Sequence, residues 1–328
     1  MLRIRFAIAI AFAGMLTAGA GVTYGQAASK GAGQSYPVKS IRIVTTETGA
    51  GNDLLARIVA QSIAGPLGQT IIVENRATTV SGVITAQAVP DGYTLLLAAN
   101  ASWLGTFLQD MPYDAVRDFA PVSTVSNQPV VLVVHPALPA KSVKEVIALA
   151  KARPGELFYG SSSTATVSHL AGELLKAMAG VNIVRVPFKG AGPALIALFG
   201  NEVQLTFPTP SVVPPHVKAG RLRALAVSGL HQSPLLPELP TLSSEGLPGY
   251  EVVSRAGIFA PAKTPASIIN RLNQEIVRAL GRTDIKEKIL VLGSEPAGST
   301  PEEFKNIIRD DMARMGKVIK DTGMRTDK

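Results

Sequence analysis

The chain has 328 residues, 46% of them hydrophobic, with a formal net charge of +8 at pH 7 and no cysteine. The missing thiols exclude disulfides, zinc–thiolate sites and lipid attachment through cysteine, so stability must come from an ordinary hydrophobic core, which a chain of this length can supply. The densest basic stretch, 305–328, is interrupted by Asp310, Asp311 and Asp321, which suits a solvated helix better than a nucleic-acid surface.

The first residues, Met1-Leu-Arg-Ile-Arg5, precede an apolar run over 6–16 and small residues up to Ala27. That order predicts a secretory signal peptide cut near Ala27, and hence export to the periplasm. The apolar run is too short for a comfortable membrane span, and no later segment holds the roughly 18 consecutive apolar residues a span needs. Strand-like and helix-like patterns then alternate. A strand is predicted over 41–45 and a helix over 53–63, where Leu54, Leu55, Ile58 and Val59 recur at helical spacing. A strand over 70–74, a short helix over 82–88 and an Asp91-Gly92 turn into a strand over 93–98 follow. Val130-Val-Leu-Val-Val134 has the nearly continuous apolar character of a strand buried on both faces. Ser142 starts a helix that Arg153-Pro154 stops. Residues 156–159 form a short β-like run, and a helix follows with Val167, Leu170, Leu174 and Leu175 on one face. Further strands are predicted over 181–186, 203–207, 222–227 and 257–260. The last third turns helical over 265–280, 284–292 and 300–320, with Pro301 at a first helical position behind Thr300.

This βα alternation predicts an α/β fold with mostly parallel sheets and two domains. The absence of a low-complexity linker, together with Pro/Gly punctuation over 235–249, suggests a double crossover. Lobe 1 would comprise 36–130 plus 257–328, and lobe 2 would comprise 131–256.

Two strand–loop–helix junctions could hold an anion. One is the hydroxyl-rich Tyr159-Gly-Ser-Ser-Ser-Thr-Ala-Thr-Val-Ser168, the other Gly49-Ala-Gly-Asn-Asp53. In each, a strand feeds a loop into a helix start, where backbone N–H groups lack intrahelical partners and the dipole favours negative charge. The alternative is that these Ser, Thr, Asn and Asp residues only cap their helices. Asp53 could tune the site, cap the helix or add nothing to binding. The glycine pattern fails as a dinucleotide fingerprint because Leu54 replaces its third glycine. The four histidines, His135, His169, His216 and His231, show no metal-ligand spacing. Ser168 and His169 are neighbours on a helix, about 100° apart around its axis, and no nucleophile elbow is present. Trp103 either lines a cleft or covers core.

Several motifs together resemble one family. They are Asp91-Gly-Tyr-Thr-Leu-Leu96, Pro112-Tyr-Asp114 with Asp118-Phe-Ala-Pro-Val122, Pro139-Ala-Lys-Ser142, Tyr159-Gly-Ser161 with Ser168-His-Leu-Ala-Gly-Glu173, and Val186-Pro-Phe-Lys-Gly190. Lys218-Ala-Gly-Arg-Leu-Arg-Ala-Leu-Ala226, Gly246-Leu-Pro-Gly-Tyr250 and Phe259-Ala-Pro-Ala262 complete the set. In order and spacing they resemble the Bug, or TctC-type, periplasmic receptors of tripartite tricarboxylate transporters.

The resemblance implies a two-lobed periplasmic-binding fold of type II that closes on a small organic acid or amino-acid-like ligand. It implies delivery to transporter membrane subunits, action as a monomer, no cofactor, no catalysis and no nucleic acid. By position, it places ligand contacts in two loops, largely through backbone N–H groups. The first holds Thr46, Glu47, Gly49, Ala50, Gly51, Asn52 and Asp53; the second holds Ser161, Ser162, Thr164, Thr166 and Ser168. Asn100, Ser102, Lys189 and Gly190 are nearby candidates, and Phe207 and Thr209 should line the second lobe.

The chain departs from the family at Glu47, at Ala77-Thr-Thr-Val-Ser81 and at Arg255. Glu47 would put a negative charge close to the pocket. Arg255 could grip a carboxylate or lie on the surface, the second being the expectation. The alternatives to uptake are a sensor subunit for a signalling partner and a secreted hydrolase using Ser161, Ser162 or Ser168.

Overall fold

A computed structural model describes residues 36–324; the expected signal peptide and its cleavage point near Ala27 lie outside the described residues. Among the described residues no helix is long and apolar enough to cross a membrane.

The chain first lays down strands β1 (Ile41–Thr45), β2 (Ile71–Asn75), β3 (Thr94–Ala99) and β4 (Phe119–Pro129). Helices α1 (Gly51–Leu67), α2 (Thr78–Ala86) and the short α3 (Ala101–Leu104) separate them. Past Val130 it enters a second sheet with β5 (Val131–Val134), β6 (Phe158–Ser161), β7 (Val184–Pro187), β8 (Leu205–Thr206) and β9 (Arg223–Val227). Helices α4 (Val143–Ala152), α5 (Val167–Ala179), α6 (Ala191–Phe199) and α7 (Val213–Lys218) lie between those strands. It then returns to the first sheet with β10 (Val253–Pro261) and β11 (Glu295–Pro296), and adds α8 (Ala266–Leu280), α9 (Thr283–Val291) and α10 (Pro301–Asp321).

The strand orders are β11-β4-β10-β3-β1-β2 and β7-β6-β8-β5-β9. The expectation of mostly parallel sheets needs correcting, because both are mixed. Only β1–β2, β1–β3, β6–β7 and β6–β8 pair in parallel. The strands at the crossovers, β4, β5 and β10, pair antiparallel with their neighbours. A strand that leaves one sheet and re-enters it from the other enters from the opposite end, and this reverses its direction.

Val131, Leu132, Val133 and Val134 of β5 are all fully buried. The pleat sends Leu132 and Val134 into one core and Val131 and Val133 into another, which is why the run shows no polar alternation. In β3 likewise, Leu96 and Ala98 face one core while Leu95 and Leu97 face another. Each such side chain contributes about 1.5–3 kcal/mol of burial.

Strand β4 was not expected. Its Pro121, Ser123, Thr124, Ser126 and Asn127 give no apolar run, yet Ser123 and Thr124 are buried. Their partner lies far along the chain: Ser123 Oγ donates to the Ser299 carbonyl at 3.0 Å, and the Thr124 N–H donates to Ser299 Oγ at 3.1 Å. Helix α2 starts four residues earlier than its apolar pattern suggested. Its first turn is marked by threonines, and the hydroxyls of Ser81 and Thr85 bond back to the Ala77 and Ser81 carbonyls at 3.0 and 3.1 Å. Helix α10 begins as expected, with a full capping box between Thr300 and Glu303 and Pro301 behind it. It packs against β4 of the first sheet and α5 of the second, bracing one against the other.

Candidate ligand-binding site

A cavity of about 450 Å³ lies between the two sheets. Its walls come from the segments just beyond the carboxyl ends of parallel strands: Thr78 and Thr79 after β2, Asn100 and Ala101 after β3, and 164–167 after β6. Ligands of open α/β sheets collect at this end of the strands. Ser254 of β10 and the stretch from Gly105 to Met111 close the remaining sides.

The hydroxyl-rich loop is held from beneath. The Tyr159 hydroxyl donates to Glu173 Oε1 at 2.6 Å, and burial and the neighbouring carboxylate push that phenol far up. Its ring lies so close over Gly172 that a Cβ there would sit 2.2 Å from a ring carbon. Tyr159, Gly172 and Glu173 thus form one clamp pinning α5 to β6, which accounts for their joint place in the sequence motif. Within the loop the hydroxyls serve one another: Ser162 Oγ donates to Thr166 Oγ1 at 2.9 Å and lies 3.1 Å from Ser168 Oγ, and Thr166 Oγ1 donates to the Ser163 carbonyl at 2.8 Å. Thr166 is the N-cap residue of α5, but its side chain caps nothing. The simple capping alternative therefore does not describe this helix. Its first-turn N–H groups face the cavity at Val167 with no side-chain acceptor on them.

Arg185 on β7 was missed. Its Nε donates to Ser161 Oγ at 2.8 Å and its Nη2 to the Ser162 carbonyl at 3.0 Å. Among the described residues it forms no ion pair with a carboxylate. It puts a cation directly under the loop. The one available signal was a charged residue in an otherwise apolar strand, Val184-Arg-Val-Pro187.

His169 is no catalytic base. Its Nδ1 accepts the Ala165 N–H at 3.1 Å, which leaves the proton of the neutral ring on Nε2. Burial first, then the charge of Arg185, push it down to about 4. The bond also holds Ala165 in the left-handed region, at φ 63°. Ser168 Oγ makes its contacts with Ser162 and Thr166 instead.

The loop after β1 is organised around Asp53, which is 2% exposed. Burial alone would raise this carboxyl. Hydrogen bonds from the Gly49 N–H at 2.8 Å, from Asn75 at 2.9 Å and from Arg57 outweigh it and hold the carboxyl below its ordinary range. Asn75 also donates to the Thr46 carbonyl at 2.7 Å. Asp53 is thus spent on shaping the loop. The N-cap of α1, Ala50, offers no side-chain cap, so the N–H groups of Gly51 and Asn52 are left open.

Of the candidate residues, the cavity brings together Asn100, Thr164 and Thr166; it adds Thr78 and Thr79 from the segment where the sequence departs from the family, and Gln109, Met111 and Ser254, which the sequence did not single out. Asn100 is fixed by the crossover strand: its N–H donates to the Arg255 carbonyl at 3.0 Å and its Nδ2 to the Val253 carbonyl at 3.2 Å. Thr46, Ser102 and Ser161 are buried, and Glu47, Gly49, Gly51 and Lys189 are exposed outside the cavity lining. Ala50, Asn52, Ser162, Ser168, Gly190 and Thr209 are half-buried and do not line it either. Phe207 belongs to the core, 6.5 Å from the Tyr159 ring, and is not a wall of the cavity. Trp103 is also core, against Phe259 and Phe304.

Arg255 corrects the sequence expectation on both counts, since it is neither on the surface nor in the cavity. It is buried against Glu251, and it meets Asp311 Oδ1 at 2.9 Å. Arg314 reaches both acids, at 2.8 and 3.0 Å. These four side chains tie the returning crossover to α10.

Two α/β lobes with an open-ended cleft between the carboxyl ends of their strands define a solute-binding receptor. A family model described as "Tripartite tricarboxylate transporter family receptor" matches residues 55–324, and the chain belongs to that family. Protein BugT of Bordetella pertussis is 34% identical over 297 residues, covering 88% of this chain and 91% of that protein. An R. palustris protein solved with adipate has a TM-score of 0.68 and 33% identity over 88% of this chain and 99% of its own. MatC from Rhodopseudomonas palustris, solved with bound malate, gives 0.64 and 28% over 87% and 100%. The family is one of solute-binding receptors and not of enzymes.

Proposed function

We propose that this chain is a periplasmic receptor that captures a small carboxylate-bearing solute and hands it to the membrane subunits of a tripartite tricarboxylate-type transporter, performing no chemistry itself. The observation that carries the proposal is the uncapped start of α5, open to the interlobe cavity and backed by Arg185. A carboxylate there gains charge-assisted hydrogen bonds from backbone N–H groups whose own partners are missing. The lobes, 36–130 plus 253–324 and 131–252 because β10 joins the first sheet from Val253 and not from 257, close on it by bending at Val130 and in the return segment 228–252. The loop after β1 takes part on closure. Because β1 lies between β3 and β2 in the sheet, that loop stands in the same row as the cavity-lining residues after those two strands. Relatives solved with adipate and malate support the same ligand chemistry.

The test is a thermal-shift screen of organic acids on mature protein that has been unfolded and refolded to strip carried-over ligand. A true ligand at a hundredfold excess over Kd adds about 2.7 kcal/mol of stability. A Cβ at Gly51 would meet nothing within 4 Å in the protein. Gly51→Leu should therefore leave the unliganded melt unchanged while abolishing the shift. A screen in which no organic acid shifts the melt would refute the reading.

A further inference from the structure

Another cavity, of about 570 Å³, is built wholly from the first lobe and shares no lining residue with the interlobe cavity. One wall is the face of α10 that carries Lys305, Ile308, Arg309 and Met312, at the helical spacing i, i+3, i+4 and i+7. The other runs from Ala115 and Val116 into the first residues of β4, Phe119, Ala120 and Pro121. Strands β3 and β4 both pair antiparallel with β10, so they run the same way. This groove therefore lies at the amino-terminal end of β4, whereas the interlobe cavity lies beyond the carboxyl end of β3.

Apart from two cations, every residue lining the groove is apolar, and no Asp or Glu is among them. Phe119 is fixed by the rings of Tyr113 and Phe259, at 5.3 and 5.9 Å, so that wall is preformed. Val116 is apolar yet 57% exposed. Lys305 is exposed and makes no hydrogen bond or ion pair among the described residues. Arg309 meets only the carboxylate of Asp310, at 3.5 Å and with both side chains mostly in water, a pair of little strength. A largely apolar concavity of this size with a few convergent polar groups is the usual form of a small-molecule site.

We propose that this groove binds a single-chain amphiphile with an anionic head, the head at Lys305 and Arg309 and the chain along Val116, Phe119, Ile308 and Met312. The proposal goes beyond the receptor reading and does not depend on it. Burial of the chain supplies most of the affinity. The two cations, one helical turn apart, select the sign of the head.

The experiment is calorimetric titration of the Gly51→Leu variant, whose interlobe cavity is blocked, with hexanoate, octanoate and decanoate. Decyl maltoside and decyltrimethylammonium supply a neutral and a cationic head on the same chain. Each added CH2 is expected to tighten binding about three- to fourfold. Decanoate should bind at least about tenfold more tightly than decyltrimethylammonium. Adding Lys305→Glu and Arg309→Glu, both at exposed positions, should reverse that order while the melt holds. The same pair in the wild type should leave the melt shift given by short organic acids unchanged. No binding of decanoate to the Gly51→Leu variant, equal affinity for the three heads, or an unchanged order after charge reversal overturns the inference. Each of those results leaves the receptor reading intact, since that reading fails only if no organic acid shifts the wild-type melt.

Discussion

His169 should make the stability of this protein depend on pH in a window that few other groups occupy. In the native state it is 4% exposed, accepts the Ala165 N–H at Nδ1, and is pushed down to about 4 from an ordinary 6.5 by burial and then by Arg185. The native state therefore binds fewer protons than the unfolded chain between these values, and stability rises with pH across the window. The contribution is complete above about pH 6.5 and is lost as pH falls toward 4. A shift of this size is worth roughly 3 kcal/mol in all, of which about 2 kcal/mol is gone on moving from pH 7 to pH 5. Carboxylates with displaced values, such as Asp311 and Glu295, both pushed up by burial, act on the same profile with the opposite sign. The measurement must therefore be a difference. Urea unfolding of wild type and His169→Asn should be compared at pH 7 and pH 5, because an Asn Oδ1 can still accept the Ala165 N–H. Wild type should lose about 2 kcal/mol more than the variant over that interval. Equal losses in the two proteins would refute a buried, neutral His169.

Three further outcomes follow from the packing. Arg185→Gln removes two charged hydrogen bonds to the Ser161–Ser162 loop and should cost about 1.5–3 kcal/mol in urea unfolding while weakening binding of any carboxylate ligand; unaltered affinity by calorimetry would remove Arg185 from the site. Arg255→Met leaves Glu251 and Asp311 short of a buried cation and should cost about 3–5 kcal/mol in urea unfolding; a cost below 1 kcal/mol would show that water reaches the cluster. Gly172→Ala drives a methyl into the Tyr159 ring and should cost about 1–3 kcal/mol, with weaker ligand binding because the start of α5 shifts; an unchanged melt would contradict the close approach.

Wherever periodicity reported a single burial environment, the elements were legible. Residues 131–134 are apolar because both faces of β5 are covered, and Ser142 caps α4 by accepting the Glu145 N–H at 3.2 Å. Strand β4 was illegible because the buried Ser123 hydroxyl and Thr124 N–H find their partner in Ser299, 176 and 175 residues away in sequence. The sequence located the α5 loop as an anion receptacle but treated its hydroxyls as ligands in waiting. Most of them bond to each other and leave the backbone N–H groups as the open donors.

The α/β class, the family and the two glycine- and hydroxyl-rich loops are properties of the sequence alone, because they rest on local spacing and on which residues can start a helix or line a turn. Tertiary structure decided the rest, since charge and burial depend on neighbours far along the chain. It withdrew Arg255 into a four-charge cluster, spent Asp53 on its own loop and returned Phe207 to the core. It also set Arg185 beneath a loop more than twenty residues before it. Only that assembly shows a cavity onto which the uncapped starts of α2 and α5 both open.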